Sequence, residues 1–90
     1  MPTRYFAKLN TTNYKALRSL INELPQSFSE WESSQAVKKD EHVLMWHPNG
    51  ICVDVEIDSN EFTAYCDRTQ SNRTLETLDR LVAEKGMREG

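Results

Sequence analysis

Three groups of side chains in this 90-residue chain could do chemistry. The first is Cys52, with His47 upstream and Asp54 just after it. A thiolate, an imidazole and a carboxylate are the parts of a nucleophilic site. If a two-residue turn joined strands on either side of Pro48, His47 would lie diagonally from Cys52, roughly 7–8 Å away between backbones. A bulged turn instead sends His47 to the other face, and no glycine-rich loop offers an oxyanion site. Cys52 is therefore expected to fill space in a strand, and no catalytic residue is assigned. The second group is His42 and His47 with Asp54 or Glu56. The histidine spacing matches no zinc motif, and within one strand it puts the two rings on opposite faces, so no metal site is expected. The chain has no P-loop, no G-x-G-x-x-G and no H-E-x-x-H, and no cofactor is implied.

The third group is a run of carboxylates, Asp54, Glu56, Asp58 and Glu61. Acids in such number do electrostatic work: they attract a basic surface, speed encounter and reject wrong partners. The charge is unevenly placed. Residues 1–22 hold Arg4, Lys8, Lys15 and Arg18 and no acid, whereas 54–67 hold Asp54, Glu56, Asp58, Glu61 and Asp67 and no base. A net charge of −3 and a pI near 5.3 argue against direct nucleic-acid binding, which draws its affinity from cations on phosphate.

These side chains have to be positioned by a small scaffold. The length suits a single domain over residues 1–90. Leu, Ile, Val and Phe together number 19, which is lean but sufficient because they cluster. No apolar run could span a bilayer, the N-terminus lacks the apolar core of a secretory signal, and two cysteines are too few for a disulfide scaffold. The expected location is cytoplasmic, with no membrane partner.

Along the chain, residues 3–9 alternate as a strand. Asn10, Thr11 and Thr12 offer capping oxygens for a helix over Asn13–Leu24 that Pro25 stops. Ser29 and Glu32 suggest a capping box for a short helix, followed by an irregular charged loop up to Glu41. Val43–His47, Ile51–Asp58 and Glu61–Asp67 read as three strands joined by turns at Pro48-Asn49-Gly50 and Ser59-Asn60. A type I turn with Gly50 as a left-handed bulge residue is favoured for the first of these. A helix from Ser71 or Asn72, presenting Leu75, Leu78, Leu81 and Val82 and capped by Gly86, closes the chain. The expected fold is α+β in the order β-α-(α)-β-β-β-α, a small antiparallel sheet with helices packed on one face.

In that sheet, Ile51, Val53, Val55 and Ile57 would face the helices, and Asp54, Glu56 and Asp58 the solvent. A two-residue turn at Ser59-Asn60 keeps apolar with apolar, so Glu61 and Tyr65 join the acidic face, with Trp46 from the preceding strand. The expected partner-binding set is Trp46, Asp54, Glu56, Asp58, Glu61 and Tyr65: an aromatic centre with an acidic border. The expected function is a small acidic protein-binding module of inhibitor or immunity type. It would dock this face on a basic partner surface, such as that of a nucleic-acid-binding protein or nuclease. The alternatives are a self-assembling homodimer and a small cysteine-dependent enzyme. Arg4, Lys8 or the segment 26–41 could instead neutralise or cover the same face.

Overall fold

The computed structural model describes residues 2–89 of the chain. The order is β1 (Thr3–Lys8), α1 (Thr11–Leu20), α2 (Phe28–Met45), β2 (Ile51–Glu56), α3 (Ser59–Thr69) and α4 (Leu75–Glu89). The two strands pair in parallel, in a register that sets Thr3 opposite Ile51 and Lys8 opposite Glu56. The expected α+β class holds, but the antiparallel three-strand meander does not. Among the described residues Val43–His47 and Glu61–Asp67 are not strands: the first ends α2 and the second lies in α3. With those two gone, β1 and β2 are separated by two helices, and a crossover of that length joins parallel neighbours.

Local chemistry explains most boundaries. Asn10 Oδ1 accepts from Asn13 N at 2.7 Å and starts α1, as its sequence position suggests. Ser27, rather than Ser29, caps α2, its Oγ accepting from Glu30 N. No proline or glycine interrupts the following 18 residues, so the helix runs on where a charged loop was expected. Asp58 Oδ1 accepts from Glu61 N at 2.7 Å and turns the chain directly into α3, so Ser59-Asn60 is a helix start and not a hairpin turn. Helix α3 ends at Gln70, whose φ of 53° is left-handed, and Ser71 N returns to Cys66 O. The last helix begins later than expected, with Thr74 Oγ1 accepting from Thr77 N and Glu23 capping Leu75 N from across the fold.

The sheet is covered on both faces, not one. Parallel register puts Tyr5, Ala7, Val53 and Val55 on the side taken by α4, and Arg4, Phe6, Lys8, Cys52, Asp54 and Glu56 on the side crossed by α2. The main core lies on the α4 side, where Val55 and Ile57 meet Leu17, Ile21, Phe62, Leu78, Leu81 and Val82. Gly86 is part of this packing rather than a C-cap. A Cβ there would stand 2.3 Å from the Tyr5 ring, so its lack of a side chain is what lets α4 lie against β1. The α2 side is thinner. Phe6 is buried there beneath the Arg4 guanidinium at 5.1 Å and the Lys39 ammonium at 5.7 Å from its ring centre.

Candidate functional site

The six side chains expected on one sheet face are distributed over three elements and their junctions. Asp54 is exposed on β2 but held by Lys39 of α2, 2.6 Å from Nζ to Oδ1. The neutralising cation therefore comes from the segment 26–41, while Lys8 stands across the ladder from Glu56. Tyr65 is buried in α3, with the Arg68 guanidinium 5.3 Å from its ring centre. Trp46 lies at the far end of α2 and is 48% exposed.

Glu56, Asp58 and Glu61 do come together. They line a cavity of about 250 Å³ at the carboxyl ends of both strands, with Lys8, Asn10, Asn13 and Lys85. Open parallel sheets bind ligands at this end. Here, however, the polar groups serve the fold. Asn10 and Asp58 cap α1 and α3, and the half-buried Lys85 ammonium joins Glu61 Oε2 at 2.7 Å to the Glu56 carbonyl at 2.6 Å.

Neither chemical alternative gains support from geometry. The Cys52 thiol lies under α2 and donates to the Lys39 carbonyl at 3.7 Å, while His42 contacts the Pro2 carbonyl at 3.2 Å. Burial pushes the Cys66 thiol up, against the pull of nearby Arg73 and with a further push from Asp67. Among the described residues no three His, Cys, Asp or Glu side chains are placed to hold a metal ion.

The feature that stands apart is the second half of α2. At 3.6 residues per turn, Trp31, Gln35, Lys38, His42 and Trp46 fall on one side of this helix and Val37, Asp40, Glu41 and Leu44 on the other. The first side faces the sheet, so beyond Trp31 the inward stripe is largely polar. The outward stripe carries the apolar residues: Val37 is 56% exposed, Leu44 76% and the adjoining Met45 75%. Val43, at 42%, is exposed on the flank of the same helix end.

This end of the helix is tied down. Trp46 N–H reaches His42 O at 3.1 Å, Asn49 N–H reaches Trp46 O at 2.7 Å, and the His42 ring holds the start of β1. Gly50 passes so close beneath that an added Cβ would meet His42 O at 3.0 Å and Trp46 Cβ at 3.2 Å. The expected left-handed conformation of Gly50 is not adopted, since no described glycine has a positive φ. Close passage, not φ, is the physical reason for glycine at this position.

Sequence reasoning placed Leu44 and Trp46 on a strand, and did not single out Val37 or Met45. The signal that could have found them is the unbroken helix-compatible stretch from Ser29 onward, in which Val37, Glu41, Leu44 and Met45 share one face. Among the described residues no helix is long and apolar enough to cross a membrane. No family model, curated protein or solved structure matches this chain.

Proposed function

We propose that the chain is a protein-binding module that contacts its partner through the outward face of α2. Leu44 and Met45 are the central apolar area, with Val37 at its margin and Asp40 and Glu41 as charged neighbours. The observation behind this reading is the inversion within one helix. A free-standing fold gains nothing by leaving Val37, Leu44 and Met45 outward while Gln35 and Lys38 take inward positions. Exposed large apolar side chains with charged neighbours have the composition of a recognition patch.

The carboxylates among the apolar residues favour a partner with an apolar pocket bordered by lysine and arginine. Asp54 lies under the same helix and is already paired with Lys39, so the acidic residues that matter in this reading are Asp40 and Glu41. Occupying a basic surface in this way would block whatever the partner otherwise binds there, the behaviour of an inhibitor. Self-association through the same patch would bring Asp40 and Glu41 toward their copies, and that repulsion makes it the weaker reading.

The test pairs capture with a measured affinity. Native lysate is passed over immobilised chain, over Leu44→Glu and over Asp40→Lys/Glu41→Lys. A protein retained by the parent chain alone is purified and titrated. The expected result is a loss of at least about ten-fold in affinity for Leu44→Glu, as for a central anchor, and salt-sensitive binding for the parent. Equal retention by all three forms, with unfolding midpoints unchanged, refutes the proposal. A concentration-dependent dimer that Leu44→Glu dissolves would assign the patch to self-assembly instead.

A further inference from the structure

A two-stranded sheet has two free edges, and that of β1 opens into a groove. In a parallel ladder alternate residues turn both backbone groups toward the neighbour, and the residues between turn theirs away. Pro2 O takes the Ile51 amide at 3.1 Å and Lys8 O takes the Ile57 amide at 3.4 Å, so the even-numbered residues of β1 face β2. The amides and carbonyls of Thr3, Tyr5 and Ala7 therefore point to the outer edge, where no described group outside the ladder hydrogen-bonds to them. A row of such groups is a template for another strand.

The edge is accessible but walled. A groove of about 240 Å³ runs along Thr3–Ala7 between the flanking helices, with Trp31, Gln35 and Lys38 of α2 on one side and Leu75, Leu78, Asp79 and Ala83 of α4 on the other. Arg4 joins Lys38 on the α2 side. The α4 side is mainly apolar apart from Asp79, whose carboxyl is pushed up by lost solvent against the pull of Lys38 and Arg4. Neither cation forms an ion pair among the described residues.

The strand on the opposite edge of β1 shows what such walls select. In β2, Val53 and Val55 point to the α4 side and Asp54 and Glu56 to the α2 side, where Lys39 meets Asp54. The open edge has a similar division, with α4 residues that are apolar apart from Asp79 on one hand and Arg4 and Lys38 on the other. We propose that the β1 edge is a second docking site, which takes an extended segment of a partner protein, alternating aliphatic with acidic side chains, by strand addition. This site lies apart from the outward face of α2 and stands independently of the function proposed for that face.

The test uses a short capped peptide alternating valine with glutamate, a matching valine–lysine peptide, and the whole chain labelled with ¹⁵N. The valine–glutamate peptide is expected to slow amide exchange at Thr3, Tyr5 and Ala7, leaving Arg4, Phe6 and Lys8 as they were. Thr3→Pro removes one outward donor at the first strand position, where proline is tolerated, and should weaken binding about five- to ten-fold, the worth of one hydrogen bond. Lys38→Glu should shift preference toward the lysine peptide, and Leu44→Glu should leave binding unchanged, which separates this site from the α2 face. Absence of protection at millimolar peptide, or equal binding of both peptides by the parent chain, overturns the proposal. Protection of the same amides by raising chain concentration alone also overturns it, since the occupant would then be a second copy.

Discussion

The two halves of α2 share one backbone and opposite fates. In the first, Phe28 and Trp31 form an aromatic cluster with Tyr14 at centroid distances of 5.4 to 6.0 Å. In the second, Val43, Leu44, Met45 and Trp46 carry as much apolar area and leave much of it in water. The difference is one of neighbours. Helix α1 lies against the first half, whereas the second extends over the α2 side of the sheet, where its links are polar: Lys39 to Asp54, the Cys52 thiol to the Lys39 carbonyl, and His42 to the Pro2 carbonyl. Helix propensity carries the backbone through both halves, but packing opportunity is used in only one.

The sharpest way to break this comparison is to truncate the two tryptophans. Trp31 is 6% exposed, and Trp31→Ala should cost about 3–5 kcal/mol as a large core cavity. Trp46→Ala should cost no more than about 1 kcal/mol. Equilibrium urea unfolding gives both numbers. A cost for Trp46→Ala equal to that for Trp31→Ala would mean that the end of α2 is part of the core and that its exposure has no functional meaning.

The opposite face of the sheet supplies a control, because α4 packs there closely enough to need a glycine. In an exposed helix, Gly→Ala would stabilise by up to about 1 kcal/mol. At Gly86 the new methyl group would stand 2.3 Å from the Tyr5 ring, so Gly86→Ala should instead destabilise by about 1–3 kcal/mol. Tyr5→Leu in the same chain should recover part of that loss. If Gly86→Ala stabilises, α4 does not lie as close to β1 as the structure has it.

A smaller effect tests how helix ends are secured. Asp58→Ala removes the side chain that accepts from Glu61 N and should cost about 0.5–2 kcal/mol, measured by thermal unfolding with and without the substitution. A change below about 0.3 kcal/mol would show that Lys85 and Glu61 hold this corner without the cap.

Asp58 also shows how far the fold was legible. Asp58 followed by Glu61 is the sequence signature of a helix start, and Phe62, Tyr65 and Cys66 repeat at helical spacing. The same residues also fit alternation, and the strong period of β2 just before them carried the strand reading onward. Val43–His47 failed for a related reason, since a short apolar run does not by itself separate a strand from the end of a helix. Strands β1 and β2 and the buried face of α4 were readable because each has a clean period, and the start of α1 because Asn10 is a local cap. The acidic face was not, because its existence depended on a register between elements, and Lys39 and Lys85, which pair with Asp54 and Glu61, come from distant parts of the chain.

The last test returns to the packed half of α2 through pH. Burial pushes the Tyr14 phenol above its usual value, with Arg18 pulling it down and Glu30 pushing it further up. Its hydroxyl donates to the Pro25 carbonyl, which also accepts from Arg18 Nε at 3.1 Å. The folded state therefore holds the phenolic proton more tightly than the unfolded chain does. Stability from this source is full below about pH 10, the ordinary tyrosine value, and is lost as pH rises toward and through the raised folded value. Tyr14→Phe should cost about 0.5–1.5 kcal/mol at neutral pH for the lost hydrogen bond, with a gap to the parent that narrows above pH 10. Because Tyr14 touches Phe28 and Trp31 but not the far end of α2, alkaline loosening should register in Trp31 fluorescence before that of Trp46. A parallel response of the two tryptophans would join the halves into one cooperative unit and remove the contrast on which the docking face is argued.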